Sequence, residues 1–219
     1  MRGLRPPSGE AAHLKGQGTE LMTSFLALTL MAYLAGSIPT GLLVARLMHG
    51  PNPRLFGSGN LGAANLYRLL GRKAGVLTFL GDALKGAVPV FLGRYGLTSL
   101  GPWQESGVAL VGAAAVLGHV FPLFLRFQGG KGVATSFGVV AVLAPWAALN
   151  LLLVYLLTLV QTRIFSAGAL LAAWLLPLAV GLFSDSKAYL LLAGGLSALI
   201  LVCHRDNLER LFRGEEPRF

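Results

Sequence analysis

Three polar, glycine-rich stretches interrupt an otherwise apolar chain, and their residue types are those that hold phosphate-like anions. The first begins Gly36-Ser37-Ile38-Pro39-Thr40-Gly41, passes Arg46 and continues as Gly57-Ser58-Gly59-Asn60-Leu61-Gly62-Ala63-Ala64-Asn65-Leu66-Tyr67-Arg68. Glycines let successive backbone N–H groups converge on an anion, and a following helix N-terminus adds partial positive charge. Thr40, Ser58, Gly59, Asn60, Asn65 and Arg68 are therefore candidate substrate-binding residues; close helix packing by the glycines is the competing reading. The second stretch is Gly118-His119-Val120-Phe121-Pro122 followed by Gly129-Gly130-Lys131-Gly132-Val133-Ala134-Thr135. It shares parts with a P-loop but lacks the Walker spacing, so nucleotide binding is not implied. A compact anion suits it better, with Lys131 as point charge, the amides of Gly129, Gly130 and Gly132 as a cradle, and Thr135 nearby.

The third stretch, His204-Arg205-Asp206-Asn207-Leu208-Glu209-Arg210-Leu211-Phe212-Arg213-Gly214-Glu215-Glu216-Pro217, places Leu208, Leu211 and Phe212 at helical spacing. It reads as an amphipathic helix on the headgroups, or as a helix from which His204 and Asn207, three residues apart on one face, reach a site at the membrane surface. Asp82 and Lys85, at i and i+3 within an apolar run, are expected to pair, because an unpaired charge at that depth is costly. They and His119 are read as structural or orienting. No Gly-x-Ser-x-Gly elbow occurs. Asp82, Asp185 and Asp206 are the only aspartates, too scattered for a two-metal site, so no metal or other cofactor is expected.

The elements that carry these stretches are membrane helices. Of 219 residues, 54% are hydrophobic and 12% charged, and the mean hydropathy is +0.67; soluble domains carry about 25% charged residues. The net charge of +9 would suggest nucleic-acid binding in a soluble protein. Here the basic residues fall between apolar runs, where they orient helices and attract anionic headgroups or phosphorylated substrates, so no nucleic-acid partner is expected. Cys203 is the sole cysteine, which rules out an intrachain disulfide. Residues 1–21 lack apolar periodicity and read as a disordered leader, with Met22 as an alternative start of translation; residues 22–219 read as a single transmembrane domain.

Apolar segments at about 23–48, 74–95, 106–126, 132–145, 146–162, 165–183 and 186–204 predict an all-α polytopic membrane protein of about seven spans, with short loops and no soluble domain. One topology collects Arg46, Arg54, Arg68, Arg72, Lys73, Arg126, Lys131, Arg163 and the basic tail on the inside, with the N-terminus outside and the C-terminus inside. All three glycine-rich or polar stretches then meet at that face.

Taken together, GSIPTGLLVAR with GSGNLGAAN, GHVFPLFLRFQGGKGVATSFG and HRDNLERLFRGEEP resemble, in order and spacing, the bacterial membrane glycerol-3-phosphate acyltransferases that use acyl phosphate, the PlsY family. The resemblance runs from about Met22 onward. It implies transfer of an acyl group from acyl phosphate to the 1-hydroxyl of glycerol 3-phosphate, giving lysophosphatidic acid and phosphate at the cytoplasmic face of the inner (plasma) membrane. It also implies that Ser37 and Arg46 are important for activity, that Gly129, Gly130, Lys131 and Gly132 bind glycerol 3-phosphate, and that His204, Asn207 and Glu216 belong to the site. Ala64 and Gln128 depart from the family pattern, which usually has threonine and lysine there. On this reading the partners are the two substrates and membrane lipid, with no obligate protein partner evident. Arg46, Arg68 and Lys131 would offset the repulsion of two anions, and the proton of the attacking hydroxyl would pass to the donor's own phosphate, His204 or Ser37. A transporter of a small phosphorylated solute is the rival reading, disfavoured because the fifth and sixth spans are nearly pure Leu, Ala and Val.

Overall fold

The computed structural model describes the backbone of residues 8–219 and the side chains from residue 19 onward. Among the described residues it is built of ten α-helices and no strand: α1 (Ser8–Gly36), α2 (Thr40–Leu47), α3 (Ala63–Leu70), α4 (Arg72–Gly96), α5 (Gln104–Val120), α6 (Val133–Leu143), α7 (Pro145–Thr162), α8 (Phe165–Phe183), α9 (Lys187–Cys203) and α10 (Arg205–Phe212). Five stretches are long and apolar enough to cross a membrane alone: Gly18–Gly36, Arg72–Gly96, Thr98–Leu125, Pro145–Thr162 and Phe165–Phe183. Taken together, α9 and α10, bent by 61° at their junction, meet the same test as a sixth. The chain is a multi-pass helical membrane protein.

Three expectations are corrected in detail. The segment 132–145, counted as a span, is the 11-residue helix α6. At 1.5 Å per residue it reaches about 16 Å, half the hydrocarbon thickness. It stops at Ala144 because Pro145 disfavours helical dihedrals in the residue before it, and Pro145 opens α7 instead. The first span ends at Gly36, not near residue 48. Pro39 breaks it, and the chain resumes as α2, which carries Arg46. Residues 8–21 of the expected leader are helical, as the first turns of α1. Once a long apolar span has nucleated a helix, adding residues such as Glu10, Ala11, Ala12, Leu14 and Lys15 is inexpensive. Residues 1–7 lie outside the described residues.

In lipid, helices are drawn together by close van der Waals contact, since tails and side chains are equally apolar. Glycines provide that contact in two reciprocal pairs. On the α1–α5 crossing, a Cβ at Gly36 would collide with the Ala115 carbonyl, and one at Gly118 with the Tyr33 carbonyl. On the α4–α6 crossing, a Cβ at Gly86 would meet the Thr135 carbonyl, and one at Gly138 the Ala83 carbonyl. Between these crossings, Ala32, Val90, Val108, Val111, Ala115, Val116 and Val139 are fully buried. Leu26, Leu30, Leu84, Leu153, Leu178 and Leu182 point outward, as a lipid-facing surface requires. The half-length α6 is thereby locked between α4 and the rest of the bundle, with its N-terminus held within the protein.

Gly138→Ala should lower the melting temperature in detergent strongly, by the equivalent of about 3 kcal/mol, because a backbone carbonyl cannot move aside as a side chain can. Gly194→Ala, where a Cβ meets nothing, should be neutral or stabilising by up to about 1 kcal/mol, the helix propensity gained. Equal effects of the two would sink the close-approach account.

Candidate active site

The first loop is organised by one amide. Asn65, in the first turn of α3, is 1% exposed. Its Oδ1 accepts from the Ser58 N–H at 2.9 Å, and its Nδ2 donates to the carbonyls of Asn60 at 2.8 Å, Pro53 at 3.0 Å and Phe56 at 3.2 Å. Asn60 Oδ1 accepts from the Gly62 N–H at 2.7 Å. Gly57 and Gly59 adopt φ of 63° and 68°, which lets the loop curl around Asn65. Both of the amide's hydrogens are engaged within the loop, so Asn65 shapes it. Ser58 and Asn60 face the cavity described below; Gly59 does not.

The glycine pair of the second motif is used differently from expectation. The Gly129 N–H donates to the Val120 carbonyl and the Gly130 N–H to the His119 carbonyl, both at 3.1 Å. Gly130 packs so tightly on His119 that a Cβ would strike the imidazole. These two amides are therefore occupied and do not cradle an anion. The open donors are the Lys131 ammonium and the N-terminal turn of α6, where Gly132, Val133 and Ala134 line the cavity. Thr135 is fully buried behind that wall, against α4.

The tail folds back and closes the site. Glu216 Oε1 accepts from Asn207 Nδ2 at 2.6 Å and Ser166 Oγ at 2.7 Å, and Oε2 from Arg210 Nε at 2.7 Å. Asn207 Oδ1 in turn accepts from the Lys131 ammonium, and Arg68 donates to the Pro217 carbonyl at 3.1 Å. An aromatic triad of Tyr67, Phe165 and Phe219 fastens the chain end, with centroids 4.9 to 5.7 Å apart. His204, at the α9–α10 bend, places Nδ1 2.8 Å from the Ile200 carbonyl. That nitrogen must carry the proton, so in the neutral ring Nε2 is the bare acceptor.

These groups surround one cavity of about 720 Å³. One part of its wall is polar: Ser58, Asn60, Arg68, Lys131, His204, Asn207, Arg210 and Glu216. The other is apolar: Phe79, Phe137, Val140, Leu151, Ala172 and Leu176 are among its residues. Three cations face one carboxylate at the polar end. Burial and the neighbouring Arg210 charge lower the Lys131 pKa, offset in part by Glu216 and Asp206. For Glu216, burial acts upward, but the hydrogen bonds from Ser166, Asn207 and Arg210 outweigh it and hold the pKa below the usual 4.5.

A second cluster stands behind the first. Lys85 Nζ lies 2.9 Å from Asp82 Oδ1 and also donates to the Ile38 carbonyl at 2.9 Å; His119 Nδ1 is 3.5 Å from the same carboxylate oxygen. Asp82 and His119 form part of the main cavity wall and also border a void of only about 10 Å³, where Ser37 and Thr40 are found. The Ser37 hydroxyl is fully buried, donates to the Tyr33 carbonyl at 2.9 Å and accepts from the Leu123 N–H at 3.3 Å. Arg46 is exposed on α2 and outside both cavities. Among the described residues, no three His, Cys, Asp or Glu side chains gather as a metal-ligand set. Ser166, Arg210 and Tyr155 border the main cavity without having been expected there. In the sequence Arg210 counts only as an inside charge, Ser166 is a single hydroxyl at the start of an apolar span, and Tyr155 is one of several scattered polar residues in a mostly Leu-rich helix.

The model of the family described as "Glycerol-3-phosphate acyltransferase" matches residues 26–214. The chain belongs to the glycerol-3-phosphate acyltransferase family. Relatives of that description include proteins of Syntrophotalea carbinolica, 46% identical over 90% of this chain and 99% of theirs, and of Myxococcus xanthus, 46% identical over 90% of this chain and the whole of theirs. Two solved structures of PlsY, an integral membrane glycerol 3-phosphate acyltransferase, resemble the fold. Its glycerol 3-phosphate form superposes with a TM-score of 0.81 at 39% identity, covering 90% of this chain and 96% of that one. Its lysophosphatidic acid form gives 0.80 at 38% identity, covering 90% and 95%. The chain is thus a membrane acyltransferase.

Because Glu216 is held below its ordinary value, its contribution to closing the tail is complete above pH 4.5 and is lost as pH falls through the lowered value. Glu216→Gln should remove that pH dependence and open the tail at neutral pH, raising its proteolysis rate about tenfold or more, as loss of a charged hydrogen-bond partner implies. Unchanged proteolysis in the variant would mean that the aromatic triad alone holds the tail.

Proposed function

We propose that this acyltransferase moves an acyl group from acyl phosphate to the 1-hydroxyl of glycerol 3-phosphate, releasing lysophosphatidic acid and phosphate. The observation that carries the reading is the single cavity with three cations at one end and an apolar wall at the other. An acyl phosphate has that same polarity along its length, as does the lysophosphatidic acid product. The glycerol 3-phosphate and lysophosphatidic acid forms of the related solved structures support the acceptor and the product; the donor is argued from the cavity.

Arg68, Lys131 and Arg210 bind the two phosphates and offset their repulsion, assisted by the α6 N-terminus, Ser58 and Asn60. Asn207 and Glu216 hold Lys131 and Arg210 in place. The hydroxyl oxygen attacks the carbonyl carbon, and the carbon–oxygen bond to phosphate breaks with its electron pair on the departing phosphate. His204 Nε2 orients the attacking hydroxyl by accepting its hydrogen bond, and the departing phosphate takes up the proton. Ser37, with both sides of its hydroxyl engaged, fixes the α1–α2 break against Leu123. Arg46 stands on the same face as an attraction for anionic substrate. The basic residues between helices support an inner-membrane orientation with the site cytoplasmic, the N-terminus outside and the C-terminus inside.

The test is formation of lysophosphatidic acid, the product common to both donors, by purified protein in detergent from palmitoyl phosphate with glycerol 3-phosphate, with palmitoyl-CoA as a control donor and phosphate release measured alongside. Both products should require both substrates, and no lysophosphatidic acid should form from the CoA ester. Lys131→Ala and Arg68→Ala should each cut kcat/KM by about 10- to 100-fold, the equivalent of one charge-assisted contact of about 1.5–3 kcal/mol. Efficient transfer from the CoA ester would overturn the proposed donor.

A further inference from the structure

Building on the acyl-phosphate reading, we infer that Tyr155 is a catalytic residue that donates its phenolic hydrogen to the carbonyl oxygen of the acyl donor as that oxygen becomes an oxyanion. The placement is geometric. On α7, Ala148, Leu151, Leu152 and Tyr155 fall at i, i+3, i+4 and i+7 and all line the main cavity, one stripe of one helix face. The first three are apolar; Tyr155, about 10 Å along the helix from Ala148, carries the stripe's only polar group. The facing helix α8 shows the same change of character. Gly168 packs against the Tyr155 ring and backbone, with a Cβ there meeting Cδ2 at 2.9 Å and Cε2 at 3.3 Å. About half a turn toward the α7–α8 connection lies Ser166, bonded to Glu216; about one turn the other way lies Ala172, in the apolar wall. Tyr155 therefore stands at the level where the cavity changes from polar to apolar.

An acyl phosphate has its carbonyl at that same junction. With its phosphate among Arg68, Lys131 and Arg210 and its chain beyond Leu152 and Ala172, the carbonyl comes level with Tyr155. The phenol is free for it: the hydroxyl makes no hydrogen bond with any described residue. A half-buried tyrosine hydroxyl inside a membrane helix needs a partner, and a cavity occupant can supply one. In the transfer, the acceptor hydroxyl oxygen bonds to the carbonyl carbon and the carbonyl π pair moves onto oxygen. Tyr155 stabilises that charge by a hydrogen bond without giving up its proton. The pair then returns as the bond to phosphate breaks, and the phosphate leaves with the bonding electrons and the acceptor's proton. Gly168 is a positioning residue, keeping the ring seated against α8.

Tyr155→Phe removes one oxygen atom and tests this directly. Loss of one oxyanion donor should lower kcat about 100-fold, with KM for glycerol 3-phosphate within about twofold of wild type, since a donor that acts only in the transition state leaves ground-state binding unchanged. The same fractional loss is expected with short and long acyl phosphates, and the melting temperature in detergent should be unchanged or higher, because an unpartnered hydroxyl has been removed. Unchanged kcat overturns the assignment. So does a rise in KM for glycerol 3-phosphate at constant kcat, which would place the phenol on the acceptor, or a loss that grows with chain length, which would make Tyr155 part of the chain-packing wall. Absence of transfer from acyl phosphate by the wild-type protein would instead overturn the underlying donor assignment.

Discussion

The carboxylate of Glu216 ties the tail to two helices and, through them, to the head of a third. It accepts from Ser166 of α8 and from Asn207 and Arg210 of α10, and through Asn207 it reaches Lys131 at the head of α6. The next residue, Pro217, gives its carbonyl to Arg68 of α3. Three cations near a membrane surface would repel one another and disperse; one buried anion among them offsets that repulsion and leaves a surplus of positive charge at the cavity. The two phosphorylated substrates proposed here could approach each other against that surplus.

A second constraint makes the first workable. Anion-binding donors are useful only if they do not move when the anion leaves, and α6 supplies its N-terminus from within the bundle. Glycine contacts with α4 hold it there: Gly86 against Thr135 and Gly138 against Ala83. A helix of 11 residues cannot cross the bilayer, so its polar end is kept at depth by packing and not by length. The Asp82–Lys85–His119 cluster serves the same purpose from behind, pairing charges in α4 and tying Lys85 to the unwound backbone at Ile38.

The cavity brings together two kinds of wall that would not usually meet. Its cationic part belongs to loops and short helices, and its apolar part to α4, α6, α7 and α8. A substrate that is charged at one end and hydrocarbon at the other satisfies both, and its reacting carbonyl is confined to the boundary between them. With the donor proposed here, chemistry is localised without a dedicated nucleophile on the enzyme, since an acyl phosphate is already activated.

Much of this was legible in the chain itself. Hydropathy alone marks a polytopic helical protein, because about 20 apolar residues in a row have few other uses. The spacing of glycines, Lys131, His204 and Asn207 reads as an anion site, and the charges at i and i+3 mark the Asp82–Lys85 pair. Tertiary structure decided what those residues do. Gly129 and Gly130 read as an anion cradle, yet their amides bond to Val120 and His119, nine and eleven residues back in the chain, a pairing that no local pattern announces. Ser37 and Arg46 read as neighbours of one motif, but Pro39 turns the chain, and one lies buried behind the cavity while the other faces outward. Tyr155 and Ser166, ordinary polar residues in apolar surroundings, gained importance only because α7 and α8 fold together beside the tail. Local sequence determines which groups are present and how each helix is patterned; which groups share a cavity depends on contacts between residues far apart in the chain.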